Sequence, residues 1–100
     1  MGDLALDTLT AETLTPLIGD GFSLMAASTF GYPVRLDRIE RSKTQGASRQ
    51  PFSAFFVGTP GQVMPQQIYR LEHRSGVALE LFLVPIGTEG DNTVYQAVFN

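Results

Sequence analysis

The stretch "QIYRLEHRSGVALELFLVPIG", residues 67–87, holds the residue types in this chain that come closest to chemistry: Arg70, Glu72, His73 and Glu80. Two carboxylates at such spacing are the raw material of a glycosidase acid and base. A histidine near serines and an acid is the raw material of a nucleophilic triad. Each reading needs a convergence that the sequence does not supply. His73 is the only histidine and there is no cysteine, so the three or four ligands of a transition-metal site are missing. No G-x-S-x-G surrounds any serine. "GDG" at 19–21 and "GTPG" at 58–61 lack the Lys-Ser/Thr that completes a phosphate loop and read as turns. No catalytic residue, metal ligand or cofactor is assigned. Arg70, Glu72 and Glu80 read as a surface ion-pair cluster, at roughly 0.2–1 kcal/mol per pair, and His73 as a half-buried packing residue.

The second candidate set is cationic. Residues 35–74 carry all seven bases against three acids, although the whole chain has a net charge of -3. Arg38 and Arg41 lie on a strand interleaved with Asp37 and Glu40, and Lys43 and Arg49 lie on the polar stretch that follows. These four are the candidate contacts for an acidic protein partner. Phe52, Phe55 and Phe56 beside this basic segment could stack nucleic-acid bases. Seven Phe, three Tyr and no Trp, with pI ≈ 4.9, fit a core better, so nucleic acid is not the expected partner.

The elements that must position these residues follow from periodicity. "LTAETLTPLIGDGF" predicts a short helix over 10–19, capped by Thr10 and closed by Gly19, with Leu14, Leu17 and Ile18 on one face. Pro16 predicts either a kink or two successive turns, the second capped by Thr15 with Pro16 as its first residue. Period-two patterns predict strands over 22–27, 33–41, 52–57, 67–73, 77–84 and 93–99. "STFGY" and "GTPG" supply turns, and 42–51 is a mobile loop. Ile39 has the wrong parity for Leu36, which predicts a bulge near Asp37-Arg38 or a strand end there.

A hairpin register can be derived. With Arg74-Ser75-Gly76 as a three-residue loop and Gly76 left-handed, Leu71 meets Leu79, Tyr69 meets Leu81, Arg70 meets Glu80 and Ile68 meets Phe82. A two-residue loop would mix apolar with charged residues on both faces. The chosen register leaves Ile68, Phe82 and Val84 on a second, dry face. Each forfeits roughly 1.5–3 kcal/mol if left exposed, so the N-terminal helix or a second protein chain is expected to cover them.

At 100 residues the chain is expected to be one domain, 1–100, mainly β: an antiparallel meander of about six strands curled into a small barrel or split into a two-layer sandwich, with the helix plugging one end. With 43% hydrophobic and 17% charged residues it is neither disordered nor membrane-spanning. "MGDLALDTLT" has no basic, apolar leader, so with no cysteine a cytoplasmic location is expected.

The stretches "MPQQIYRLEH", "LELFLVPIG" and "YQAVFN" are similar to the motifs LPQG-x-Y-x-LEH, LFLVPIG and YEAVFN of a family of small bacterial proteins classed as a domain of unknown function. Gln67 and Gln96 depart from the family's Gly and Glu. The resemblance covers nearly the whole chain and implies a single domain ending on its last strand, but no activity. The function expected is a non-catalytic binding or assembly module working with a protein partner or as a homo-oligomer. An accessory subunit of a larger bacterial or phage-tail-like structure would be one form of it. The alternative is a small-ligand-binding β-barrel.

Overall fold

Residues whose side chains alternate inward and outward build most of this molecule. The computed structural model describes residues 3–4, 10–27, 30–41, 51–61 and 63–99. The elements are β1 (Asp3–Leu4), α1 (Ala11–Leu14), a 3-10 turn (Thr15–Leu17), β2 (Gly21–Ala27), β3 (Phe30–Arg41), β4 (Phe52–Pro60), β5 (Gln67–His73), β6 (Ala78–Glu89) and β7 (Asn92–Phe99). The six strands β2 to β7 close into an antiparallel barrel, which decides between the barrel and the sandwich. Around the wall the order is β2-β3-β4-β7-β6-β5, with β5 paired back to β2. The meander therefore comes in two three-stranded halves. The link over 61–66 carries the chain from β4 past its neighbours to β5. Two buried tyrosines pin this link: the Met64 N–H donates to Tyr95 Oη at 2.9 Å, and Tyr69 Oη donates to the Pro65 carbonyl at 2.6 Å. β1 pairs with β6 in parallel, Asp3 beside Ala78 and Leu4 beside Leu79.

Several element ends differ from the sequence expectation. The "STFGY" turn is shorter than expected, because Phe30, Gly31 and Tyr32 already pair with Ala27, Met25 and Leu24. The "GTPG" segment is largely strand: β4 runs on to Pro60, which faces Asn92 across a register shift after Val57. β6 runs not to 84 but to Glu89, where Gly90-Asp91 makes the turn into β7. Pro85 misleads there, since a proline reads as a strand end, yet here it sits at a register shift between Pro85 and Gly87 that absorbs its missing donor. The loop expected over 42–51 lies almost entirely outside the described residues.

The helix is two turns, as Pro16 requires, but Thr15 does not cap the second. Its hydroxyl donates to the Ala11 carbonyl at 2.6 Å, and Leu14 precedes the 3-10 turn without a side-chain cap. Thr10 does cap the first turn, in a reciprocal box with Thr13: each side-chain oxygen accepts the other's N–H, at 3.2 and 2.9 Å. Leu14 enters the barrel end and joins one core with Phe22, Leu24, Leu36, Phe56, Leu71, Leu79, Leu81 and Leu83.

The bulge and the hairpin register appear as derived. Pairing shifts between Leu36 and Arg38, which returns Ile39 to the inward face opposite Ala54 and turns Arg38 outward opposite Phe55. Ile68, Tyr69, Arg70 and Leu71 face Phe82, Leu81, Glu80 and Leu79.

Candidate functional site

His73 ends β5 beside the start of β2, opposite Phe22, and its side chain is 8% exposed. Its ring lies 5.1 Å from that of Phe22. The backbone N–H of Ser75 donates to Nδ1 at 3.1 Å, which makes Nδ1 the acceptor nitrogen and leaves Nε2–H to donate to Asp20 Oδ2 at 2.9 Å. Ser75 Oγ stands 2.8 Å from Nδ1. The order acid, imidazole, hydroxyl is that of a nucleophilic triad. The neighbouring donors are spent inside the turn, however: Gly76 N–H on the His73 carbonyl, Ser75 N–H on Nδ1 and Val77 N–H on Ser75 Oγ. None is left aimed at a developing oxyanion. What the arrangement does is tie the β5–β6 hairpin to the residue that precedes β2. An open depression of about 430 Å³ adjoins it, lined by Phe22, Pro33, His73 and Arg74 among others. Among the described residues no group of three His, Cys, Asp or Glu is placed to hold a metal ion.

The ionic candidates are placed as follows. Arg70 binds Glu72 at 2.9 Å and faces Glu80 across the hairpin, so the structure brings all three together on the outer face of β5 and β6. Arg38 is held by Glu40 at 3.0 Å, Asp37 at 3.2 Å and Glu89 at 3.7 Å, and it lies 4.1 Å over the Phe55 ring. Arg41 binds Glu12 of α1 at 2.6 Å, and this hydrogen bond is the main cause that holds the Glu12 carboxyl below its ordinary pKa. Lys43 and Arg49 lie outside the described residues. Phe52 and Phe56 face the core and Phe55 is buried under Arg38, so none of the three presents an open ring.

The dry face is bare. Ile68 is 67% exposed, Phe82 52%, Ile86 49% and Val98 58%, and all four are outward positions on β5, β6 and β7. The helix does not cover them, because its buried residues, Ala11 and Leu14, belong to the interior core. Ile68 pairs with Phe82 directly, Val84 follows Phe82 on the outer face of β6 and pairs with Gln96, and Val98 is the next outward residue of β7 after Gln96. Next to this strip, on the same outer surface, Phe55, Val57 and Val94 form a small buried cluster under Arg38. The outside of β4, β7, β6 and β5 thus carries an apolar band, covered around Phe55 and open around Phe82, with the Gln96–Ser53 hydrogen bond between the two parts and Arg70, Glu72 and Glu80 at its edge. Ile86 escaped the sequence reading because β6 was ended at Val84. Continuing the period of two through Pro85 would have placed it with Phe82 and Val84. The link from Asp20 to His73 carried no sequence signal, since the two are 53 residues apart.

A family model described as "Domain of unknown function (DUF6916)" matches residues 9–99. The chain belongs to the DUF6916 family. No curated protein and no solved structure matches it. The DUF6916 match takes in α1 and all six barrel strands, so the His73 tie and the open strip both lie inside the family's domain.

Proposed function

We propose that this chain is a docking module, an accessory subunit that works by binding protein through the outer face of β5, β6 and β7. The observation that carries this reading is the contiguous strip of Ile68, Phe82, Ile86 and Val98. Four large side chains at these exposures present on the order of 400 Å² of apolar surface, the size at which patches on a monomer tend to be binding sites. Side chains exposed singly would need no explanation. Here they share one outer face, Ile68 paired with Phe82 and Ile86 reached from it through Val84, with charged pairs at their margin: Arg70, Glu72 and Glu80 on one side, Arg38 with its three acids on the other. An apolar centre with a polar rim is the anatomy of a protein interface. Arg38, already engaged with acids of its own chain, serves this surface as a rim group that steers and orients, whereas Arg41 is held at the barrel end by Glu12 of α1.

The alternative, a small-ligand binder, has less support, since the inward side chains of all six strands pack on one another and on Leu14. To test the docking reading, tagged wild-type protein and Phe82→Glu are recovered from the native host and their associated proteins compared. Loss of association in a variant that still melts cooperatively supports the reading. Full retention of every associated protein overturns it.

A further inference from the structure

We propose that the occupant of the open strip is a second copy of this chain, docked strip to strip about a two-fold axis. This rests on the docking reading above and names its partner. Three features point to a copy of the same chain. First, the strip carries no charge: Ile68, Phe82, Val84, Ile86, Gln96 and Val98 are all neutral. Each flank carries both signs, Arg70 with Glu72 and Glu80, Arg38 with Asp37 and Glu40. A partner of strongly single-signed surface would meet repulsion from one member of each pair, whereas a second copy brings the same mixture of signs. The net charge of -3 per chain is a small barrier at a Debye length of about 8 Å.

Second, the area fits. A standard interface buries about 800 Å² per partner. The strip supplies on the order of half of that as an apolar centre, and the flanks on either side can supply the rim.

Third, the geometry closes. A head-to-tail contact needs a second, complementary apolar surface elsewhere on the chain, whereas a two-fold contact uses one patch twice. Among the described residues the other exposed large apolar side chains, Ile18 and Val63, stand on separate connections and form no second strip.

The test uses the whole chain. Sedimentation equilibrium from about 1 to 100 µM should give twice the chain mass for the wild type. Phe82→Glu, and independently Ile68→Lys, should weaken self-association at least about thirty-fold, the loss expected at an interface hot spot. Both should melt as the wild type does, which separates lost docking from lost folding. The chain has no cysteine, so Val98→Cys, alone or combined with Ile68→Cys, should form a disulfide-linked dimer on mild oxidation. Arg35→Cys, on the exposed face of β3 across the barrel, should not. A wild type that stays monomeric at 100 µM overturns the second copy as occupant while leaving the docking reading to its own co-purification test. A dimer that is indifferent to both substitutions and is trapped only through position 35 likewise overturns the second copy as the strip's occupant.

Discussion

Gly76 shows how much one residue can carry. The Gly76 N–H bonds the His73 carbonyl at 2.9 Å and its φ is +95, the left-handed value demanded by a three-residue loop between strands in the derived register. A Cβ there meets nothing within 4 Å, so the cost of replacing it is backbone strain alone. Gly76→Val is expected to lose roughly 1–2 kcal/mol in urea unfolding, and an unchanged midpoint would contradict the assigned turn. Gly58 has a different reason to be glycine: a Cβ at 58 would stand 2.9 Å from Cε1 of the buried Tyr95 ring. Gly58→Ala should therefore cost about 1–3 kcal/mol by overpacking, and the Tyr95→Phe background should not relieve it, because the clash is with the ring edge. Tyr69 gives a pH signature. Burial pushes its hydroxyl above the ordinary tyrosine value, and Tyr95 adds to the shift. Above about pH 10 the unfolded chain ionises this phenol while the folded chain still holds the proton. Stability is thus intact below pH 10 and falls as pH rises toward the folded value. Urea midpoints measured from about pH 8 to 11 should show this decline, and Tyr69→Phe should flatten it. The need for a left-handed residue at 76 was legible from strand parity, but the approach of Tyr95 to Gly58 and its effect on Tyr69 were not, because Tyr95 lies far from both in sequence.

The elements divide in the same manner. α1 was legible from Thr10, Pro16 and Gly19, and its role as a plug follows from Leu14, which is fully buried. Leu14→Ala should cost about 2–5 kcal/mol, whereas Glu12→Ala on the exposed side should change the melting temperature little, since the pair it makes with Arg41 is open to solvent. β7 is the strand that closes the wall. It pairs with β4 through Phe52–Phe99, whose rings stack at 4.4 Å, and with β6 through Val84–Gln96. Deleting the last six residues removes Tyr95, Ala97 and Phe99 from the core and opens an edge on each neighbour. Truncated protein should be insoluble, or without a cooperative melt; a soluble truncation with a sharp transition would show that β7 is dispensable. The bulge at Asp37-Arg38 could be read in advance because a change of hydrophobic parity within one strand has few other causes. The true lengths of β4 and β6 could not, because Pro60 and Pro85 signal breaks locally while cross-strand pairing carries the chain through them.

At the scale of the whole molecule, the open strip sets the expected behaviour of its own residues. Phe82→Glu and Ile68→Lys replace half-exposed or more exposed side chains on the outer wall, so folding stability should shift by no more than about 0.5 kcal/mol while association is lost. A substitution of the inward neighbour, Leu81→Ala, should do the reverse and cost about 2–5 kcal/mol of stability; equal effects at 81 and 82 would show that the two faces are not distinct. The sequence by itself determined which residues alternate, which glycine must turn the β5–β6 hairpin, where β3 bulges, and that Ile68, Phe82 and Val84 leave the inner face together. All of these depend on neighbours along the chain or directly across one hairpin, and period and parity report such neighbours. Only the tertiary structure decided that the two half-meanders join as β4 to β7 and β2 to β5, that Asp20 meets His73, that Arg38 lies over Phe55, and that α1 packs inward and leaves Phe82 bare. These are contacts between segments far apart in sequence. They are selected by the packing of the whole barrel, because several pairings of similar amphipathic strands satisfy the local pattern equally and only one fills the core.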